Sequence, residues 1–210
     1  MKLKARTWLS YLVIILPPGY GWLNYGALPA TMATHFGGAN SQPDGYMAKP
    51  LMVFGLPILM VLLQAICLGV TQLNAAKKGP APRFERMITW IIPLITVVAY
   101  TTTIAYNLGH ALDIWRIAIS LVGVIFIAMG NYLPTVSATQ YRRMHMGWQP
   151  AAAAWSRLKY SYGYLMVGGG LLLLLSLLTV SVVSWIVLGL IIISLLVITI
   201  YAIRTAKPER

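Results

Sequence analysis

The chain contains one cysteine, Cys67, and only four acidic residues among its 210. A single cysteine excludes a disulfide within the chain and a zinc site built from several cysteines. Charged residues make up 10% of the sequence, whereas soluble domains carry about a quarter. This scarcity of charge excludes an ordinary soluble domain. The hydrophobic fraction of 59% also excludes an intrinsically disordered chain.

Six long apolar runs occupy most of the sequence, each close to the roughly 20 residues that a helix needs to cross the hydrocarbon of a bilayer. They lie at about 7–28, 51–73, 87–107, 114–133, 161–179 and 183–203. A backbone inside lipid has to satisfy its own N–H and C=O groups, so we expect an all-α integral membrane protein. The predicted architecture is a single membrane domain over residues 1–210 with six transmembrane helices. Pro17 and Pro18 predict a kink in the first span, and Gly163 with 168–170 predicts close helix packing in the fifth.

The 16 basic residues are distributed unevenly among the segments that connect these spans. All except Lys49 and Arg116 precede span one, follow span six, or lie between spans two and three or four and five. Because basic residues accumulate on the cytoplasmic side of membrane proteins, this bias predicts that both termini are cytoplasmic. The net charge of +12 therefore indicates orientation, with the lipid bilayer as partner, and does not indicate a nucleic-acid partner.

The outer loop, residues 29–50, has an unusual composition for a short connection. Pro43-Asp44-Gly45 is a turn signal: proline presets φ, aspartate bonds back to the backbone and glycine accepts positive φ. We expect a compact loop over the outer face that presents an imidazole, a carboxylate and aromatic rings. The predicted ligand-binding residues are His35, Phe36, Asp44, Gly45, Tyr46 and Lys49.

Two sequence elements resemble those of SdpI-type bacterial membrane proteins. The first comprises Leu28-Pro29, His35-Phe36, Pro43-Asp44-Gly45-Tyr46 and Lys49; the second is Gly130-Asn131-Tyr132-Leu133-Pro134 at the end of span four. The Gly-Ile-Arg-Thr-Pro-Trp-Thr stretch that usually follows the second element in that family is absent. The resemblance implies a multi-pass protein of the bacterial cell membrane that gives immunity to a secreted peptide toxin. It also implies structural roles for Leu28, Pro29, Pro43, Gly130, Asn131 and Pro134.

The inner loop, residues 135–160, is the longest predicted cytoplasmic segment. Pro150 followed by four alanines predicts a helix, because proline suits the first turn and alanine favours propagation. Its basic and aromatic residues are predicted to contact either the anionic inner leaflet or a cytoplasmic regulator. They are Arg142, Arg143, Trp148, Trp155, Arg157 and Lys159.

Two interpretations apply to the polar residues between spans three and four. His110, Asp113 and Arg116 are three residues apart and would share one face of a helix. Asp113 and Arg116 then form a surface ion pair of little energetic weight. Alternatively, His35, His110 and Asp113 are weak candidates for zinc ligands, since zinc takes imidazole and carboxylate groups.

These patterns favour a protein that is not an enzyme and that needs neither a cofactor nor a resident metal. We expect immunity or resistance to a secreted antimicrobial peptide, which binds at the outer face. The alternative is a signal-transduction protein that sequesters a cytoplasmic regulator through the inner loop. A transporter or metal-dependent membrane enzyme is the second alternative.

Overall fold

In the computed structural model, residues 2–37, 42–78, 82–137 and 152–205 are described, and they form seven α-helices and one β-hairpin. The helices are α1 (Lys2–Ile15), α2 (Pro17–Leu23), α3 (Leu56–Lys78), α4 (Pro82–Asn107), α5 (Ile114–Tyr132), α6 (Ala152–Ser176) and α7 (Ser181–Thr205). The hairpin consists of β1 (Thr31–Gly37) and β2 (Gln42–Ala48). A π-helical turn, Leu51–Gly55, leads into α3, and a 3-10 turn, Leu133–Thr135, follows α5.

Five helical segments of the described residues are long and apolar enough to cross a membrane. They are Leu51–Leu73, Arg83–Asn107, Ile114–Thr135, Trp155–Ser176 and Ser181–Ala202. The prediction of a multi-pass helical membrane protein is therefore confirmed. The first predicted span is instead divided into α1 and α2, which have 14 and 7 residues. The break follows from Pro17 and Pro18, which remove two N–H donors, so the predicted kink is confirmed while the count of six spans stays a prediction.

The outer loop differs from the all-α expectation because it contains a two-stranded antiparallel sheet. Strand β2 includes residues that usually interrupt strands, Pro43 and Gly45, and these hide the strand pattern in the sequence. The sheet is small, and the described part of the chain is otherwise mostly helical.

The chain divides into two units, residues 1–69 with 88–121 and residues 70–87 with 122–210. In the first unit, a buried apolar cluster joins the end of the first predicted span, β1, the π-helical turn and α4. Its members are Leu28, Met32, Met52, Val53, Tyr100 and Ile104.

Within the first unit, Pro57 near the start of α3 creates a gap in the helical hydrogen bonding. Proline has no N–H, so the carbonyl of Val53, four residues earlier, lacks its α-helical donor. The Tyr100 hydroxyl of α4 donates to this carbonyl at 3.1 Å. Since Tyr100 is fully buried, a side chain from the neighbouring helix replaces the missing N–H.

The reverse arrangement occurs at Pro93 inside α4, which leaves the carbonyl of Thr89 without its donor. Gln64 of α3 donates Nε2 to the Thr89 carbonyl at 3.1 Å and to Ser10 Oγ of α1 at 2.9 Å. Gln64 and Ser10 are both fully buried. Each of the helices α3 and α4 thus donates a side-chain hydrogen bond to the backbone carbonyl that a proline leaves without its donor in the other segment.

In the second unit, α5 and α6 pack backbone against backbone at two glycine pairs, Gly130 with Gly163 and Gly123 with Gly170. A Cβ atom added to any of the four would lie 2.6–3.1 Å from the partner glycine's carbonyl oxygen. No side chain fits such a gap, so the close approach depends on glycine. The close helix packing predicted for the fifth span is confirmed at Gly163 and Gly170.

Helices α6 and α7 are joined by polar groups along their length. Tyr162 and Thr199 hydroxyls lie 2.5 Å apart, and those of Ser176 and Ser184 lie 2.7 Å apart. Hydroxyls in apolar surroundings need partners, and these two pairs provide them between the helices.

Candidate functional site

The hairpin provides the candidate site, and its pairing is regular only at the end near the helices. Thr31 pairs with Ala48 and Ala33 with Tyr46, after which the register shifts on both sides of His35. Such bulges bend a strand and redirect its side chains. The irregular end therefore carries the polar residues of the predicted site.

The hairpin is attached to the end of α4 by a side-chain amide and an aromatic contact. Asn107 accepts a hydrogen bond from the Ala33 N–H at 2.9 Å and donates one to the Ala33 carbonyl at 2.8 Å. The amide thereby occupies the position that a residue of a third strand would take beside β1. The rings of Phe36 and Tyr106 also meet edge to face at 4.8 Å. These contacts fix the hairpin on α4.

His35 and Asp44 form a hydrogen-bonded pair across the hairpin, with Nδ1 and Oδ1 2.5 Å apart. The side chains are 76% and 53% exposed, so the pair is open to solvent and contributes little to folding. Two glycines make room for it. A Cβ on Gly45 would lie 2.7 Å from the His35 Cβ, and a Cβ on Gly37 would overlap the Asp44 carboxylate. The backbone is thus shaped to hold an exposed imidazole–carboxylate pair.

A histidine held by a carboxylate has a defined ring orientation, as in metal sites and catalytic triads. No group of three or more His, Cys, Asp or Glu side chains among the described residues could hold a metal ion. Among the described residues, the pair is therefore not joined by the further His, Cys, Asp or Glu ligands that a zinc site needs. What it offers chemically is one oriented imidazole and one carboxylate for hydrogen bonding to a ligand.

The remaining residues of the predicted binding set differ in accessibility. The Tyr46 side chain is 61% exposed, as a ligand contact requires. The Lys49 ammonium instead donates to the carbonyls of Tyr25 at 3.1 Å and Leu28 at 2.8 Å, and it lies 4.7 Å above the Tyr25 ring. These contacts give Lys49 a structural role at the end of α2, where it satisfies backbone acceptors beyond the last helical turn.

The polar residues before α5 form a local surface arrangement. Arg116 Nε lies 3.2 Å from Asp113 Oδ2, and the Arg116 N–H donates to Asp113 Oδ1 at 3.1 Å. The ion-pair interpretation is therefore confirmed, and Asp113 also caps the first turn of α5. His110 is exposed before this turn, and the structure does not group it with His35 and Asp113 as metal ligands.

The inner-loop residues that the structure describes are mostly engaged within the second unit. Trp155 is 3% exposed, and its indole N–H donates to the Val136 carbonyl at 3.1 Å. The Lys159 ammonium donates to the Pro134 carbonyl at 2.8 Å and lies near the Tyr160 ring. The Trp155 ring therefore packs inside the unit, and the predicted lipid or regulator contact of the inner-loop residues stays a prediction.

Two further findings concern this predicted inner-loop surface. The helix predicted after Pro150 is continuous with the fifth predicted span, since α6 runs from Ala152 to Ser176. Arg157 remains exposed on that helix. Arg142, Arg143 and Trp148 lie outside the described residues.

The second sequence element, 130–134, has a packing role in the structure. Gly130 permits the close approach to Gly163, where a Cβ would lie 3.1 Å from the Pro134 ring, and Pro134 offers its carbonyl to Lys159. Asn131 is exposed at the end of α5. In the first element, Leu28 belongs to the buried cluster, Pro29 directly follows it, and Pro43 lies in β2.

The sequence does not reveal Asn107 as the residue that anchors the candidate site. The sequence shows only a carboxamide at the end of an otherwise apolar span. Exposed polar residues are common at that position, so the carboxamide alone does not indicate an anchoring role. Only the tertiary structure, which brings residue 107 beside residue 33, distinguishes the two roles.

The fold and the site together define a multi-pass helical membrane protein with a β-hairpin anchored to one of its spans. Residues 12–61 match the model of a family described as a domain of unknown function, DUF1648. The matched segment extends from α1 through the hairpin into α3 and so contains the candidate site. No curated protein and no solved structure matches the chain.

Proposed function

We propose that the protein gives a bacterial cell immunity or resistance to a secreted antimicrobial peptide, which binds to the hairpin. The observation that carries the proposal is the anchored hairpin itself. Asn107 and Tyr106 hold it on α4, while the His35–Asp44 pair and Tyr46 stay exposed. A preorganised surface with hydrogen-bonding and aromatic groups is suited to peptide recognition, because little ordering entropy is lost on binding.

In this proposal the hairpin faces the outside of the cell and six spans place both termini in the cytoplasm. The uneven distribution of basic residues supports that orientation. In the six-span arrangement, α1 and α2 together form the first span, bent at Leu16 where the two helices meet. The SdpI-type resemblance of the first loop supports the assignment of a bacterial peptide as ligand.

The orientation can be tested by cysteine labelling in whole cells. With Cys67 replaced by serine, a membrane-impermeant thiol reagent should label Thr31→Cys in the hairpin without permeabilisation. Arg6→Cys, at the start of α1, should be labelled only after permeabilisation. The reverse pattern would contradict an outer hairpin.

The function can be tested by expressing the chain in a sensitive strain and challenging it with peptides secreted by the source strain and its relatives. The wild-type chain should raise the inhibitory concentration of one such peptide. Asp44→Asn, which removes the carboxylate charge from the exposed pair, should lower the protection at equal membrane abundance. Asp113→Asn, which removes the charge of an exposed acid just before α5, is the matched control and should protect like the wild type. If no peptide is less toxic to expressing cells, the immunity function is wrong.

The regulator-sequestering alternative has less support. Of the described residues in its predicted surface, Trp155 is buried and Lys159 is bound to a backbone carbonyl, which leaves Arg157 exposed. A regulator site there would depend on 138–151, which lie outside the described residues.

A further inference from the structure

The two strands of the hairpin have different outer edges. In an antiparallel pair, residues alternate between pairs that exchange hydrogen bonds and pairs whose N–H and C=O groups point away from each other. The Lys49 N–H donates to the Ala30 carbonyl at 2.9 Å, which makes that pair a hydrogen-bonded one. The next pair, Thr31 with Ala48, therefore does not exchange hydrogen bonds. Met32 and Met47 are again a hydrogen-bonded pair, and Ala33 with Tyr46 is not.

This alternation assigns outward-pointing backbone groups to two residues of β2, Tyr46 and Ala48. Ala33, which pairs with Tyr46, provides an independent check. Its N–H and C=O both bond to Asn107 rather than to β2, as the alternation requires. The outer edge of β1 is therefore occupied at Ala33. The corresponding edge of β2 presents two N–H and two C=O groups.

The β2 edge is exposed and short. Tyr46 and Ala48 are both exposed residues, so no described segment covers them. Pro43 and Pro50 bound the edge on its two sides, and prolines at a strand edge limit uncontrolled pairing with other chains. An edge of this length, with four outward groups, matches one short extended peptide that adds to the sheet through main-chain hydrogen bonds.

We propose that β2 binds an extended peptide as a third strand, through the outward N–H and C=O groups of Tyr46 and Ala48. The exposed Tyr46 ring contacts the side chain of the peptide residue directly opposite. Recognition through main-chain groups tolerates different peptide sequences. The proposal rests on the proposed function only in naming a secreted antimicrobial peptide as the natural ligand, since the edge itself is defined by the hairpin.

The edge can be tested on the full chain in lipid nanodiscs with a defined probe. The probe is a short synthetic peptide of alternating threonine and valine with a lysine at each end. Binding should slow amide hydrogen exchange at Tyr46 and Ala48, whose N–H groups point away from β1. The same peptide with N-methyl groups along both of its edges should not slow that exchange, because neither edge can then complete the ladder.

A pair of variants at Ala48 separates the edge from the side chain. Ala48→Pro removes one outward N–H without touching the β1 ladder and should weaken probe binding by roughly tenfold, about one lost hydrogen bond. Ala48→Thr keeps the N–H and should bind within about twofold of the wild type. Equal slowing of exchange by both probes in the wild-type protein would overturn the proposal even if Ala48→Pro fails to fold. Slow, concentration-dependent exchange without probe would overturn it in favour of a second copy at this edge.

The outcomes for the edge and for immunity are distinguishable. Protection of cells by the wild type and equally by Ala48→Pro would support immunity and overturn the secreted peptide as the ligand of this edge. Probe-dependent slowing of exchange at Tyr46 and Ala48, with no protection of cells, would support the edge and overturn the immunity function.

Discussion

The hydrogen bond from Tyr100 to the Val53 carbonyl gives the sharpest prediction on stability. Tyr100→Phe removes one oxygen atom from a fully buried site, and water has no access to replace it. Hydrogen bonds between membrane helices average about 0.6 kcal/mol and reach about 1.7. An acceptor left buried without a donor costs about 1–3 kcal/mol. We therefore expect Tyr100→Phe to lower the free energy of unfolding by about 1–2 kcal/mol.

The role of proline in this contact can be isolated with a double-mutant cycle. Pro57→Ala supplies an N–H four residues after Val53, so the carbonyl regains a donor within its own helix. In that background Tyr100→Phe should cost less than about 0.5 kcal/mol, which gives a coupling energy of about 1 kcal/mol. The free energies can be measured by steric trapping in bicelles, where the protein keeps a bilayer environment.

A second tyrosine on the same helix provides the control for this cycle. Tyr106→Phe makes the same chemical change and keeps the edge-to-face contact with Phe36, which involves only the rings. Its effect should stay within about 0.5 kcal/mol, as for substitutions that break no buried contact. If Tyr100→Phe costs the same with and without Pro57, the tyrosine is not compensating for the proline and the reasoning is wrong.

Three further predictions concern contacts described above. Asn107→Leu should speed amide exchange in β1 by releasing the strand from α4, whereas Asn131→Leu, an exposed amide on α5, should leave it unchanged. Gly130→Ala should destabilise the second unit by about 1–3 kcal/mol in thermal unfolding, because the added Cβ meets a backbone carbonyl; Gly168→Ala, with no atom within 4 Å of its Cβ, should be nearly neutral. Trp155→Phe should cost about 1 kcal/mol through the lost indole hydrogen bond, and unchanged stability in denaturant titrations would contradict that buried contact.

The apolar spans could be predicted from the sequence because lipid imposes one rule, length and hydrophobicity, on each helix separately. The kink at Pro17 and the surface pair of Asp113 with Arg116 were predictable for a similar reason, since both depend on neighbours in the chain. The hairpin was not predictable in this way. Its strands contain proline and glycine, and its fixed position depends on Asn107, which lies more than seventy residues from Ala33 in the sequence.

The candidate site was predicted only in part. Asp44 belongs to the Pro43-Asp44-Gly45 segment, whose prediction as a turn is wrong because the structure places it inside β2, where Asp44 pairs with His35. Lys49 and Trp155 could not be assigned from sequence, because a basic or aromatic residue near a span end has the same pattern whether it faces lipid or a carbonyl inside the protein. Their roles depend on which backbone acceptors lie nearby, and only tertiary contacts determine that.

The exchange of hydrogen bonds between α3 and α4 has a consequence for how the protein enters the membrane. Each helix, inserted alone, would expose a proline-freed carbonyl to hydrocarbon at a cost of several kcal/mol. Brought together, Tyr100 and Gln64 remove both penalties. The two helices are consecutive in the chain and joined by only a few residues, so they can leave the insertion machinery as one helical hairpin. The carbonyl of Val53 therefore gains its hydrogen-bond donor only after α4 has been synthesised. A chain truncated between α3 and α4 would hold α3 less stably in the bilayer.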